Sequence, residues 1–303
     1  MISRRAFLLG AVAAGCSRSS ASLTAAPFAT PKPAAGTSGK TRLVEWTMSA
    51  PDARVVVMLP DPLPSDRKLR AIIALHGRGE SLKSPAEGAM GWPRDYALAR
   101  AYERVSNPPL TSADFEELVE PAHLDAVNRQ LADRKFGGLA VLCPYLPDID
   151  PFDSEKMASY GRYLVDDVLG RAKKELPISA TRESTGIDGV SHGGIAALLV
   201  GLAHTDVFGA VGALQPAFSA EKISDLVKLA VSAKSSLPKL RLTTSHDDYF
   251  RAQVAELSAA WDAAGIAHDF SDLPGPHDYV FNRGPGSYEL LLWHDRALSP
   301  IAP

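Results

Sequence analysis

Along the chain, short unbroken apolar runs alternate with longer stretches in which apolar positions recur every three or four residues. Unbroken runs bounded by turn residues read as strands buried on both faces. They fall at residues 43–48, 54–59, 71–75, 139–143, 186–190, 210–214, 240–244 and 267–273. The three-to-four spacing, which predicts helices, falls at 122–133, 157–175, 194–203, 250–264 and 287–298. Strand and helix take turns through the second half. That order predicts an α/β class, with a mostly parallel central sheet and helices on both faces. In such sheets ligands gather at the carboxyl ends of the strands.

Two segments break the rhythm. Residues 80–138 separate two core strands and carry "GWPRDYAL" and "SNPPLTSADF". A connection of that length is usually functional or disordered, and its apolar content points to order. It is expected to form a lid-like insertion over the site; the alternative is ordinary packing on one sheet edge. The other departure is the start of the chain. Arg4 and Arg5 precede the apolar residues 6–14, a stretch too short to span a bilayer but suited to the centre of an export signal. "SRRAFL" resembles a twin-arginine signal, which implies export of the folded protein to the bacterial envelope, periplasmic or membrane-anchored. "AAGC" resembles a lipobox, which implies a lipid anchor at Cys16; the alternative is an ordinary signal cut within residues 19–29. Residues 1–15 are therefore read as the export signal. Residues 16–40, rich in Ser, Ala, Pro, Thr and Gly, are read as a flexible linker, and 41–303 as the folded domain.

Composition narrows the chemistry. Of 303 residues, 46% are hydrophobic and 22% charged, enough for one substantial core. A formal net charge of −3 gives no basic field, so neither nucleic acid nor an anionic bilayer surface is expected as a partner. No protein partner is predicted either. The two cysteines are Cys16, in the leader, and Cys143, which ends an apolar run and reads as a small buried hydrophobe. No internal disulfide framework is available.

"DGVSHGG" holds the candidate chemistry. Gly189, Ser191 and Gly193 fit G-x-S-x-G between a strand and a helix, a turn so tight that side chains two residues either way would collide with it. Asp188 interrupts the apolar strand just before it. A serine hydroxyl needs a base and an orienting carboxylate, in the chain order Ser, acid, His for this arrangement. "SHDDYF" after one strand offers Asp247 and Asp248, and "PGPHDYV" after the next offers His277. A metal reading of His246, Asp247, Asp248 and His277 fails, because adjacent extended residues face opposite ways and no further His or Cys set completes a site. His123, His204, His268 and His294 form no cluster with ligand spacing. No metal and no cofactor are expected.

"GVSHGGIAALLVGLAHTDVFGAVGALQPAFS", "LHGRGE", "SHDDYF" and "PGPHDYV" together resemble the esterase D-like family of the α/β-hydrolase superfamily, over residues 43–298 in outline. The resemblance implies an α/β-hydrolase fold and a serine esterase that cleaves small-molecule carboxylic esters through an acyl-enzyme. It makes Ser191 the nucleophile and His277 the base. It selects Asp248, two residues before Phe250, as the acid, although Ser245 stands where the family's acid turn has glycine, which keeps Asp247 in play. The oxyanion would be met by the backbone amides of His192 and Arg78, with Gly79 adjoining. Trp92 and Phe218, with Tyr96 and Phe115, are candidates to line the substrate pocket. An acyltransferase using the same residues, and a surface binding protein that has lost catalysis, are the alternatives.

Overall fold

The computed structural model describes residues 40–49 and 53–299. The export signal, most of the linker and Cys16 lie outside them. Eight strands, β1 (Lys40–Thr47), β2 (Arg54–Asp61), β3 (Arg70–Leu75), β4 (Leu139–Pro144), β5 (Thr185–Gly189), β6 (Ala210–Leu214), β7 (Lys239–Asp247) and β8 (Asp269–Pro276), form one sheet. Its spatial order is β1-β2-β4-β3-β5-β6-β7-β8. The first two strands enter antiparallel, β1 against β2 and β2 against β4. From β3 onward every pairing is parallel, because a helical crossover returns the chain to the same edge each time.

The apolar strands are buried on both sides, as their unbroken runs require. In β2, Val55, Val57 and Leu59 enter one core while Val56 and Met58 enter the other. The first core is closed by a continuous helical stretch built of α5 (Ser154–Arg162), a π-helical segment (Tyr163–Leu169) and α6 (Gly170–Glu175), and by α7 (His192–Ala203), α8 (Ile223–Ser232) and α9 (Arg251–Ala263). The second is closed by α3 (Leu98–Ser106), α4 (Pro121–Asp133) and α11 (Ser287–Ala297), with two short helices, α1 (Arg78–Ser81) and α2 (Pro85–Ala89), leading into it. Helices α3 and α8 were not among the expected elements. Helix α8 buries Ile223, Leu226 and Ala230, a helical spacing that the sequence displays.

The expected lid is corrected. Within residues 80–138, Trp92, Leu98, Tyr102, Phe115, Val127 and Leu131 all lie in the second core. Bulky aromatic side chains stabilise most when removed from water, and the open face of β3 and β4 offers that burial. The interval is a packed layer on the sheet, and its contact with the serine's surroundings comes from its opening turn and Tyr96.

Asp188 is fully buried in β5. Its Oδ2 accepts from Arg241 Nη2 of β7 at 2.6 Å and from His294 Nε2 of α11 at 2.9 Å, and Oδ1 accepts from the Gly189 amide at 2.8 Å. Strand β6 runs between β5 and β7, and the pair can meet across it because Gly212 has no side chain: a Cβ there would strike both Asp188 and Arg241. Burial lowers the pKa of His294. At the end of β3, buried His76 bridges two loops, its Nδ1 2.9 Å from the Gly77 carbonyl and its Nε2 accepting from the Leu146 amide at 2.9 Å. Burial pulls the pKa of this ring down to about 4.

Asp188→Asn leaves the Arg241 charge buried and unpaired, and should lower the unfolding free energy in denaturant titrations by about 3–5 kcal/mol. Between about pH 6.5 and pH 4 the unfolded chain binds a proton that folded His76 does not, so stability falls as pH falls, by up to about 1.4 kcal/mol per unit for that ring. His76→Gln should flatten the dependence of the denaturation midpoint on pH in that window by about one proton.

Candidate active site

Ser191 stands between the end of β5 and the first residue of α7, with φ 56° and ψ −116°. A residue with a Cβ rarely holds a positive φ, so the turn is strained and must be held from outside. The holding contacts are backbone to backbone. The Ser191 amide donates to Leu214 O at 2.9 Å, and its carbonyl accepts from Ala217 at 3.1 Å and Ile195 at 3.1 Å. A Cβ on Gly189 would collide with the carbonyl of Gly193, and one on Gly193 with the carbonyls of Leu75 and His76. At Gly194 it would come within 2.9 Å of Leu214 O. The three glycines let α7 start hard against the ends of β3 and β6, which lifts the serine hydroxyl out of the sheet edge.

Two further strand ends bring the partners. His277 follows β8, and its Nε2 lies 2.9 Å from Ser191 Oγ. Its Nδ1 lies 2.6 Å from Oδ1 of Asp248, the residue after β7. A carboxylate only accepts, so Nδ1 carries the hydrogen and Nε2 presents a lone pair to the serine hydroxyl. Asp248 is itself fixed, with Oδ2 accepting from Thr244 Oγ1 at 2.8 Å and Oδ1 from the Phe250 amide at 3.0 Å. The imidazole is flanked by the rings of Tyr249 and Phe250, each with its centroid 5.6 Å away. Asp247 ends β7 exposed to solvent, beside Pro276 of β8 in the sheet register, while the carboxylate hydrogen-bonded to His277 is that of Asp248. Of the two candidate acids, the geometry brings Asp248 to the ring. Ser245, in place of the expected glycine, accepts from Gln215 Nε2 at 2.6 Å.

His192 is the first residue of α7 and Arg78 the first of α1, and the leading amides of a helix have no acceptor within it. The loop bearing Arg78 lies against the serine: a Cβ on Gly77 would be 3.8 Å from Ser191 Cβ. The Arg78 side chain turns away and is held by Asp148, with nitrogens at 2.8 and 3.1 Å from its two oxygens. Gly79 is exposed, its side facing the Tyr279 hydroxyl. The imidazole of His192 bonds the carbonyl of Pro147, and burial lowers its pKa.

Two pocket-lining candidates are corrected. Trp92 has no exposed surface and donates from Nε1 to Leu75 O at 2.9 Å, bracing the end of β3 from beneath. Phe218 is 3% exposed within the first core. Both stiffen the walls instead of meeting a ligand, because their rings are already fully enclosed by core side chains. Three further residues also border the site. Gln215, with φ 44°, donates to Ser245 and to Pro276 O at 3.0 Å, tying together the ends of β6, β7 and β8. Glu80 and Tyr279 meet beside the loop that bears Arg78. Their separation of 199 positions leaves no local signal.

No protein-family model matches the chain, and no curated protein matches it in sequence. Solved structures do. An S-formylglutathione hydrolase from Staphylococcus aureus superposes with a TM-score of 0.58 at 18% identity, over 88% of this chain and 100% of its own. A ferulic acid esterase gives 0.63 at 17% identity, over 86% and 99%. A substrate-bound fluorophosphonate-binding serine hydrolase, also from Staphylococcus aureus, gives 0.59 at 17% identity, over 85% and 99%. At such identities the likeness is one of fold, and with the mostly parallel eight-stranded sheet it establishes that this chain has the α/β-hydrolase fold.

Proposed function

We propose that the chain is a serine esterase that cleaves a carboxylic ester through an acyl-enzyme. One observation carries the reading: an unbroken line from Asp248 through His277 to Ser191, with both hydrogen bonds in range before any substrate binds. Ser191 Oγ attacks the ester carbonyl while His277 Nε2 takes the hydroxyl proton. Asp248 holds the ring in the tautomer this requires and stabilises the imidazolium that forms. The negative oxygen of the tetrahedral intermediate is met by the amides of His192 and Arg78, and the positive end of α7 adds to their field. As the intermediate collapses, His277 returns its proton to the departing alcohol. A water molecule, deprotonated by the same imidazole, then releases the acid and regenerates Ser191.

The solved neighbours support the same chemistry by their own descriptions, which are of an S-formylglutathione hydrolase, a ferulic acid esterase and a fluorophosphonate-binding serine hydrolase. Transfer of the acyl group to an alcohol acceptor would use the same residues up to the acyl-enzyme. The leader expected at the start of the chain supports a place for this reaction in the bacterial envelope.

Ser191→Ala should reduce turnover of p-nitrophenyl acetate by about 10⁴-fold or more and abolish labelling by a fluorophosphonate probe, with the thermal unfolding midpoint nearly unchanged. Turnover within tenfold of the parent protein would remove Ser191 from the mechanism.

A further inference from the structure

Glu80 closes the "LHGRGE" segment and is 1% exposed, a position where a carboxylate is costly unless its oxygens are fully engaged. Here they are. Oε2 accepts from the Tyr96 hydroxyl, and Oε1 accepts from the Tyr279 hydroxyl at 2.5 Å and from Lys83 Nζ at 3.3 Å. Lys83 is shared with Asp95 at 3.0 Å. The space for this carboxylate is provided by Gly91, where a Cβ would come within 2.8 Å of the Glu80 Cγ.

The partners come from two places that matter to the reaction. Tyr279 lies two residues beyond His277 and opens α10 (Tyr279–Phe281). The oxygen of Tyr96 accepts the Gly77 amide hydrogen at 3.1 Å while its own hydrogen goes to Glu80. Gly77 is the residue just before Arg78, so this chain of bonds fixes the orientation of the peptides that open the oxyanion-side loop. Both phenols have pKa values raised by burial and by the Glu80 charge, so they act as donors at neutral pH. A chain ending on an anion polarises each bond in it, which strengthens the hold on the Gly77 amide.

We infer that Glu80 is a positioning residue that locks the oxyanion-side loop and the histidine loop in register, through Tyr96 on one side and Tyr279 on the other. The inference rests on the esterase reading above. The hydrogen bonds of Glu80 go to Tyr96, Tyr279 and Lys83, so it acts through the two loops. Its loss should therefore be felt where donors must meet the developing negative charge, in kcat more than in KM.

The experiment compares Glu80→Gln, Tyr279→Phe and the double variant with the parent protein, using p-nitrophenyl acetate kinetics and amide hydrogen exchange over residues 76–80 and 277–281. Glu80→Gln should lower kcat by roughly ten- to a hundredfold with KM changed by less than about threefold, and should accelerate exchange in both segments. Tyr279→Phe alters a partly exposed side chain and keeps folding intact. It should lower kcat in the same way, and the double variant should be no slower than Glu80→Gln alone, because the two share one path. A kcat within twofold in Glu80→Gln, a loss confined to KM, losses that multiply in the double variant, or exchange that changes in one segment alone would each overturn the inference. Failure of the esterase reading looks different: the parent protein itself would lack Ser191-dependent turnover, and coupled exchange of the two segments would still decide the role of Glu80.

Discussion

Everything at the site depends on a steric constraint no wider than a methyl group. Helix α7 can begin directly after Ser191 only because Gly189 and Gly193 leave the carbonyls of Leu75, His76 and Gly193 room to lie where a Cβ would otherwise be. That close approach fixes the serine backbone at φ 56°, a conformation held by the hydrogen bond it donates to Leu214 and those it accepts from Ala217 and Ile195. Once the turn is set, the parallel sheet does the rest. The ends of β5, β7 and β8 lie on one edge, so residues 191, 248 and 277 are neighbours in space by topology.

Much of this was legible in the amino-acid order, and the boundary of legibility has a physical cause. The strands showed because burial on both faces demands unbroken apolar runs, and the serine turn showed because its glycines are needed within five residues of one another. Choosing Asp248 over Asp247 required the backbone: the bulge at the end of β7 turns one carboxylate to the ring and the other to solvent. Trp92 and Phe218 were misplaced for a related reason. An aromatic residue in a loop fits a pocket wall or a core equally well until its enclosure is known, and both proved enclosed. Glu80 and Tyr279 lay beyond reach because long-range pairs leave no periodicity. The 80–138 interval was read as a lid from its length, whereas its apolar side chains had a sheet face to cover.

Two of the buried carboxylates stand near the serine turn, and both oxygens of each are hydrogen-bonded. Below the serine turn, Asp188 joins β5, β7 and α11 through Arg241 and His294. Beside it, Glu80 gathers two phenols and an ammonium. In both, a missing side chain makes the arrangement possible: Gly212 opens the path between Asp188 and Arg241, and Gly91 makes room for Glu80. Hydrogen-bonded polar clusters of this kind fix one geometry among many that apolar packing would tolerate almost equally.

Helix α7 has ten of its twelve residues buried, so the element that carries the reactive end is also the centre of the first core. Its sequence therefore answers to two demands at once, and an inactive variant mapped to this helix says little about chemistry. A genetic screen scored by activity alone would flag Ala197 or Leu198 as readily as Ser191. Only cellular abundance, recorded beside activity, would tell a broken scaffold from a silenced nucleophile.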